Sequence, residues 1–238
     1  MTATIELGDI LVDVIRKRIK NIHLRVYPPT GKVRISAPVH VSLDTIRDFA
    51  ISKLGWIKQV QSRLRDQARE APLEYIDHES HQVWGNRYSL NVVEKEATPR
   101  IDMNHGTLVL QVRPGADRAK REAIVDRWYR DQLKGAVPAL IEKWEATMGV
   151  EVAALFFRKM KARWGTCDPS AGSIRLNSKL AKRPRECLEY VVVHEMVHLL
   201  EPSHNQRFRS FMDRFMPLWR THKDTLNRSP VRHELRVR

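Results

Sequence analysis

The stretch His194-Glu195-Met196-Val197-His198-Leu199-Leu200-Glu201-Pro202-Ser203-His204 decides how this chain reads. On an α-helix, residues four apart lie about 40° apart around the axis and about 6 Å along it, so His194 and His198 can close on one metal ion. Glu195 sits one position round, where its carboxylate reaches a metal-bound water without being a ligand. Glu201 precedes Pro202 and is pushed away from helical dihedrals, which stops the helix near Leu200 and turns the chain back. His204 then arrives as a third ligand. Ser203 with Gln206 three residues on reads as the capping box of a new helix, with Phe208, Phe211, Met212 and Phe215 as its buried stripe and Pro217 as its end.

Three histidines plus water leave an open coordination position, the mark of a catalytic zinc. Zn2+ is therefore the expected cofactor, with His194, His198 and His204 as metal ligands and Glu195 as the catalytic residue. Zinc lowers the pKa of its water toward about 7, and Glu195 accepts the proton and passes it to a leaving amine. The chemistry is amide hydrolysis and the expected function a zinc-dependent metallopeptidase. Two alternatives stay open: a nucleic-acid-binding module with a structural metal, and a non-peptidase metal-dependent amide hydrolase. Against the module, a structural site is more often closed by a fourth Cys or His, and no helix-turn-helix, RNA-recognition or zinc-finger signature is present.

Working outward, Pro184 suits the start of the metal helix. Val191, Val192 and Val193 favour strand by propensity, but the histidine spacing overrides them and implies a buried central helix. Upstream, Lys161 to Cys167 and Ile174 to Asn177 read as strands joined by a turn at Asp168 to Gly172, and Val150 to Phe156 as another. From Ala116 an apolar stripe runs to Trp144, with Pro138 expected to kink or split the helix and Gly149 to end it. Nearer the N-terminus, residues 22–37 alternate as a hairpin, Ser42 opens a helix reaching about Arg69, and a second meander covers 82–84, 88–92 and 108–112. Pro114 and Gly115 look like a boundary, giving an N-terminal β-hairpin and helix region at 1–114 and a catalytic domain at 115–238.

The chain has 238 residues, with 42 Lys and Arg against 28 Asp and Glu, a net charge of +14. The surplus is local. Residues 158–185 hold nine basic side chains against Asp168 alone, and 205–238 hold nine against three, so basic segments flank the histidine motif on both sides. Such a rim suits acidic substrates or nucleic acid, DNA included. The last ten residues, SPVRHELRVR, have little to pack with and read as a mobile basic tail. Cys167 and Cys187 are too few for a disulfide framework, no secretory signal is visible, and no apolar run reaches the roughly 18 residues of a membrane helix. The expected setting is cytoplasmic, with a polypeptide substrate and no membrane partner. The oligomeric state is not legible.

The segments KARWGTCDPSAGSIRLN (161–177) and YVVVHEMVHLLEPSHNQRF (190–208) resemble the YgjP-like zinc metallopeptidase family, related to SprT-like and Wss-type metalloproteases within the zincin group. HLRV, a Gly-Lys turn, Gly55 to Ile57 and WGNRY agree more loosely over the N-terminal half. Thr166, Asn205 and Arg209 depart from the Ser, Ser and Trp common in the family, and Glu201 stands where metzincins have Gly. The resemblance implies an α+β, zincin-like fold, a short mixed sheet packed on a central metal-binding helix beside the N-terminal β-rich subdomain. It also implies the same three ligands and general base. Arg163 and Trp164, on a strand just before that helix, are candidate substrate-binding residues, since zincins pair extended substrates at such an edge. The competing reading makes Trp164 a core residue, Cys167 a buried thiol and Tyr190 core packing.

Overall fold

The computed structural model describes residues 2–27, 30–68, 73–161, 163–227 and 235–237. The chain forms two compact units, Met1–Pro72 with Arg232–Arg238, and Leu73–Val231. The first holds β1 (Thr2–Leu7), β2 (Ile10–Lys17), β3 (His23–Tyr27) and β4 (Lys32–Pro38), then α1 (Leu43–Ser52) and α2 (Leu54–Ala68). The β3–β4 hairpin follows the alternation of the sequence, whereas β1 and β2 are not among the strands expected from it. Ser42 caps α1 by accepting from the Thr45 backbone N–H. The expected single helix breaks at Lys53, whose N–H turns back to the Ala50 carbonyl. In the sheet β2 lies between β1 and β4 and runs parallel to β4, while β3 pairs on the far side of β4. Val12, Leu24 and Ile35 from the strands meet Ile46, Ile57 and Leu64 from the helices in one dry core.

The expected mobile tail is corrected in part: Leu235–Val237 pairs antiparallel with β3 as the fifth strand of this sheet. Backbone pairing does not require the side chains to find a core. Residues 228–234 and 238 lie outside the described residues, as do Pro28 and Pro29 of the hairpin turn and Arg69 at the expected helix end.

The second unit opens with β5 (Ser80–Val83), β6 (Asn86–Glu94), β7 (Arg100–Asn104) and β8 (Thr107–Val112), arranged β5-β6-β8-β7. Then come α3 (Arg118–Met148), β9 (Ala154–Arg158), β10 (Gly165–Asp168), β11 (Ser173–Asn177), a 3-10 helix (Ser178–Lys182), α4 (Arg185–Leu200), α5 (Gln206–Phe215) and α6 (Trp219–Asn227). The division therefore falls after Pro72 and not at 114. Leu90, Leu108 and Leu110 of the four-stranded sheet share one core with Val125 and Leu133 of α3 and Val192 and Val193 of α4, so Pro114 and Gly115 mark a turn inside a unit. Pro138 does not split α3, which runs unbroken over 31 residues. Val137, Ile141 and Trp144 on either side of the proline are buried, and this packing holds the helix together where one backbone hydrogen bond is missing. Among the described residues the architecture is α+β, with small mixed sheets and six α-helices. No described helix is long and apolar enough to cross a membrane.

Trp84 and Gly85 form the two-residue turn between β5 and β6, both with positive φ as a type I′ hairpin requires. The Trp84 N–H donates to the Ala181 carbonyl at 2.8 Å, and a Cβ on Gly85 would stand 2.9 Å from Pro184 Cγ. The hairpin thus abuts the start of α4.

His81 on β5 is 2 % exposed, and neither ring nitrogen makes a hydrogen bond, although Nε2 lies 3.6 Å from Glu79 Oε2. Burial first, and then the Lys182 charge, hold its pKa below the ordinary 6.5, with Glu79 pulling the other way. The unfolded chain takes up this proton near pH 6.5 while the folded chain resists it. The contribution is therefore complete above that pH and is lost as pH falls below it, at up to about 1.4 kcal/mol per pH unit. Thermal melts of wild type and His81→Leu at about pH 7.5 and about pH 5.5 should show the smaller acid loss in the variant. Equal losses would remove His81 from the account.

Candidate metal centre and cleft

Helix α4 packs against β10, β11, α3, α5 and α6, so its valine run is buried on several sides. That burial makes a helix of residues whose propensity favours strand. As the sequence implies, α4 stops at Leu200: Glu201 is extended, and its N–H donates to the Val197 carbonyl at 2.9 Å. The Glu201 carboxylate then accepts from the Ser203 N–H at 3.2 Å and hydroxyl at 2.9 Å, tightening the turn that carries His204 back. The cap of α5 is Asn205, which accepts from the Phe208 N–H, and not the expected Ser203, whose hydroxyl is held by Glu201. Phe208 and Met212 are buried and Phe211 and Phe215 partly so, as the stripe predicts.

One ring nitrogen from each of His194, His198 and His204 lies within 4.8 Å of the others, and the Nε2 atoms of His194 and His204 are 2.9 Å apart. Among the described residues this is the one group of three or more potential metal ligands so placed. Phe208 supports all three rings, with centroids 4.7 to 4.9 Å from its own. His198 Nδ1 lies 3.1 Å from the Glu201 carbonyl. A carbonyl can only accept, so Nδ1 carries the proton and Nε2 keeps its lone pair. His194 Nδ1 is buried without a hydrogen-bond partner, and packing between Tyr190 and Phe208 orients that ring. Burial, then the neighbouring His198 and His204, push His194 down to about 3, and burial also lowers His198. Neutral rings with converging lone pairs are what a divalent metal needs, and this donor set fits one.

The histidines open onto a cleft of about 540 Å³ that Arg163, Trp164, Gly165, Cys167, Glu195 and Lys223 also line. Its wall is β10, the edge strand of the sheet β10-β11-β9. Glu195 is 6 % exposed and lies against β10 so closely that a Cβ on Gly165 would fall 2.6 Å from its Oε1 and 2.7 Å from its Cγ. Burial raises its carboxyl to about 8, with Arg163 pulling the other way. Arg163 is exposed at the lip, and Trp164 is half-buried with the Arg183 guanidinium 5.6 Å from its ring centroid. Fully buried Asn177 holds this lip. Its amide nitrogen donates to the Met160 and Arg163 carbonyls at 2.9 and 2.8 Å, and its backbone N–H donates to the Trp164 carbonyl. Cys167 and Cys187 are free thiols, and Tyr190 is buried with its ring stacked on Trp219.

Several of these residues carry no local signal in the sequence. Gly165 matters because of a side chain thirty positions away, Asn177 because of carbonyls on a loop, and Lys223 because α6, itself not anticipated, returns to the cleft.

Neutral imidazoles converging beside a buried carboxyl at an open cleft are the arrangement of metal-dependent hydrolases. The family model described as YgjP-like, metallopeptidase domain, matches residues 20–229. The chain belongs to the YgjP-like metallopeptidase family. It is also similar to a solved chain, the metallopeptidase zymogen abylysin of Pyrococcus abyssi, at 22 % identity and a TM-score of 0.35 over 39 % of this chain and 90 % of that one. No curated protein matches the chain.

Proposed function

We propose that this metallopeptidase is a zinc enzyme in which His194, His198 and His204 hold the metal, Glu195 is the general base, and Arg163 and Trp164 bind the substrate. The observation that carries the reading is the convergence of three ring nitrogens beside the Glu195 carboxylate in one cleft. Zinc bound there supplies a Lewis acid and a water of lowered pKa. An extended polypeptide adds along the open edge of β10, with Trp164 as a surface for its side chains. Beside a bound cation, which opposes the effect of burial, Glu195 would be ionised and would receive the proton of the attacking water on a carboxylate oxygen, then deliver it to the leaving amide nitrogen. Low exposure around Glu195 limits competing water, and Asn177 keeps the lip at a fixed distance from α4.

Arg163 and Lys223 give the cleft a cationic margin, which favours acidic stretches of substrate. The same charge supports recruitment to nucleic acid. Metal analysis of the purified protein, with casein digestion before and after chelation and with or without single-stranded DNA, tests the reading. Stoichiometric zinc and chelator-sensitive cleavage are expected, with faster cleavage on DNA if nucleic acid recruits the enzyme. Salt-dependent DNA binding that survives chelation, without cleavage of any denatured protein, would overturn it in favour of a binding module.

A further inference from the structure

A second cavity, of about 170 Å³, shares no residue with the cleft and is walled by Tyr75, Asp126, Lys159, Ser178, Lys179 and Lys182, with Tyr129 at its back. Most of these side chains are donors. Lys159 Nζ binds Glu122 at 2.9 Å and Asp126 at 2.7 Å, so both neighbouring carboxylates already have a cation. Lys182 is left without a carboxylate among the described residues. Its Nζ lies 4.7 Å from the Tyr129 ring centroid, and the Tyr129 hydroxyl donates away to the Gln82 carbonyl. Ser178 is 4 % exposed, and neither its hydroxyl nor that of Tyr75 makes a hydrogen bond to another described residue. Burial lowers Lys182 to about 8, with Asp126 opposing and Lys179, Lys159 and Arg183 adding to the fall. The cavity therefore gathers three ammonium groups, the Asp126 carboxylate that Lys159 neutralises, and two hydroxyls uncommitted among the described residues, around a space several times the roughly 30 Å³ of a water molecule.

We propose that this cavity binds a small tetrahedral oxyanion of the phosphate class, held by Lys182 Nζ and the Ser178 and Tyr75 hydroxyls, with Lys179 supplying further positive charge. A cation is excluded by the three ammonium groups, and a neutral ligand would leave Lys182 uncompensated. An ion with several acceptor oxygens can meet the ammonium and both hydroxyls together, in charge-assisted hydrogen bonds. Bound there, it would tie the 3-10 helix that leads from β11 into α4 to Tyr75 at the start of the unit. The proposal is independent of the peptidase reading, because none of its residues lines the cleft.

The test is calorimetric titration of the full-length protein with inorganic phosphate at constant ionic strength, alongside Lys182→Met and Ser178→Ala. Wild type should bind saturably, with affinity lowered by about tenfold or more in Lys182→Met and by a smaller factor in Ser178→Ala. Phosphate held at the metal would be common to all three proteins, so the difference between them reports this cavity. Lys182→Met should melt no lower than wild type in phosphate-free buffer, since it removes a largely buried charge that has no ion-paired carboxylate among the described residues. Should that variant fail to fold, amine labelling of wild type read by mass spectrometry serves instead, and phosphate should protect Lys182. O-phosphoserine as a second ligand separates the sources: binding means that the cavity admits a phosphate monoester, and phosphate binding alone means that it takes the free ion. Equal phosphate affinity in wild type and Lys182→Met, unprotected Lys182, or no binding by wild type up to about 10 mM would overturn the proposal.

Discussion

Glu195→Gln should keep its metal and lose peptide-bond hydrolysis by about two to four orders of magnitude, the range that a positioned general base contributes. The substitution preserves shape and removes only the ability to take a proton. The ring nitrogens of His194, His198 and His204 converge without help from this carboxyl, so metal content should stay at the wild-type level. His198→Ala is the complement. It removes one of the three nitrogens and should lose metal and activity together, while Phe208 still packs beneath the two remaining rings. Measuring zinc content and casein cleavage on the same preparations separates the two roles. Wild-type activity in Glu195→Gln would remove Glu195 from the chemistry whatever the metal content.

Gly165→Ala should also inactivate, for a steric reason. The added methyl would sit 2.6 Å from Glu195 Oε1, 2.7 Å from Cγ and 2.9 Å from Cδ, closer than side-chain carbons approach such atoms. Either the carboxyl swings aside or β10 moves off α4, and both alter the distance between the base and the histidines. A displacement of order 1 Å at a reacting group costs about a hundredfold in rate, and overpacking of this kind costs about 1–3 kcal/mol in stability. Metal content should be unchanged. The cause can be isolated by a double-mutant cycle on thermal stability with Glu195→Ala, because deleting the carboxyl removes the collision. The two substitutions should then be strongly non-additive, with Gly165→Ala costing little in the Glu195→Ala background. Additive losses would mean that the glycine serves the β10 backbone and not the Glu195 side chain.

Features that depend on near neighbours in the chain were legible. The four-residue spacing of His194 and His198, the stop imposed by Pro202 and the return of His204 follow from helix periodicity and proline sterics, and they appear in the structure with the three ring nitrogens together. The Ser42 cap, the β3–β4 hairpin and the end of α3 at Gly149 are of the same kind. Other local signals were overridden. The Ser203–Gln206 spacing points to Ser203 as the cap of α5, but Glu201 binds the Ser203 hydroxyl and Asn205 caps the helix. Pro138 is expected to kink or split its helix, but α3 runs through it unbroken because burial around it outweighs one missing hydrogen bond.

The three-histidine motif, the elements next to it and the basic character of the chain were legible without the structure. Those properties are one-dimensional, set by residue type and spacing over a few turns. Tertiary structure alone decided that the units part after Pro72, that Gly165 meets Glu195, that Asn177 fastens the lip bearing Arg163 and Trp164, and that Lys182 is shut in with two other lysines. Each of these joins residues that are distant in the chain or lie on different elements. Which of them meet, and how much water is left between them, is set by the packing of whole helices and strands.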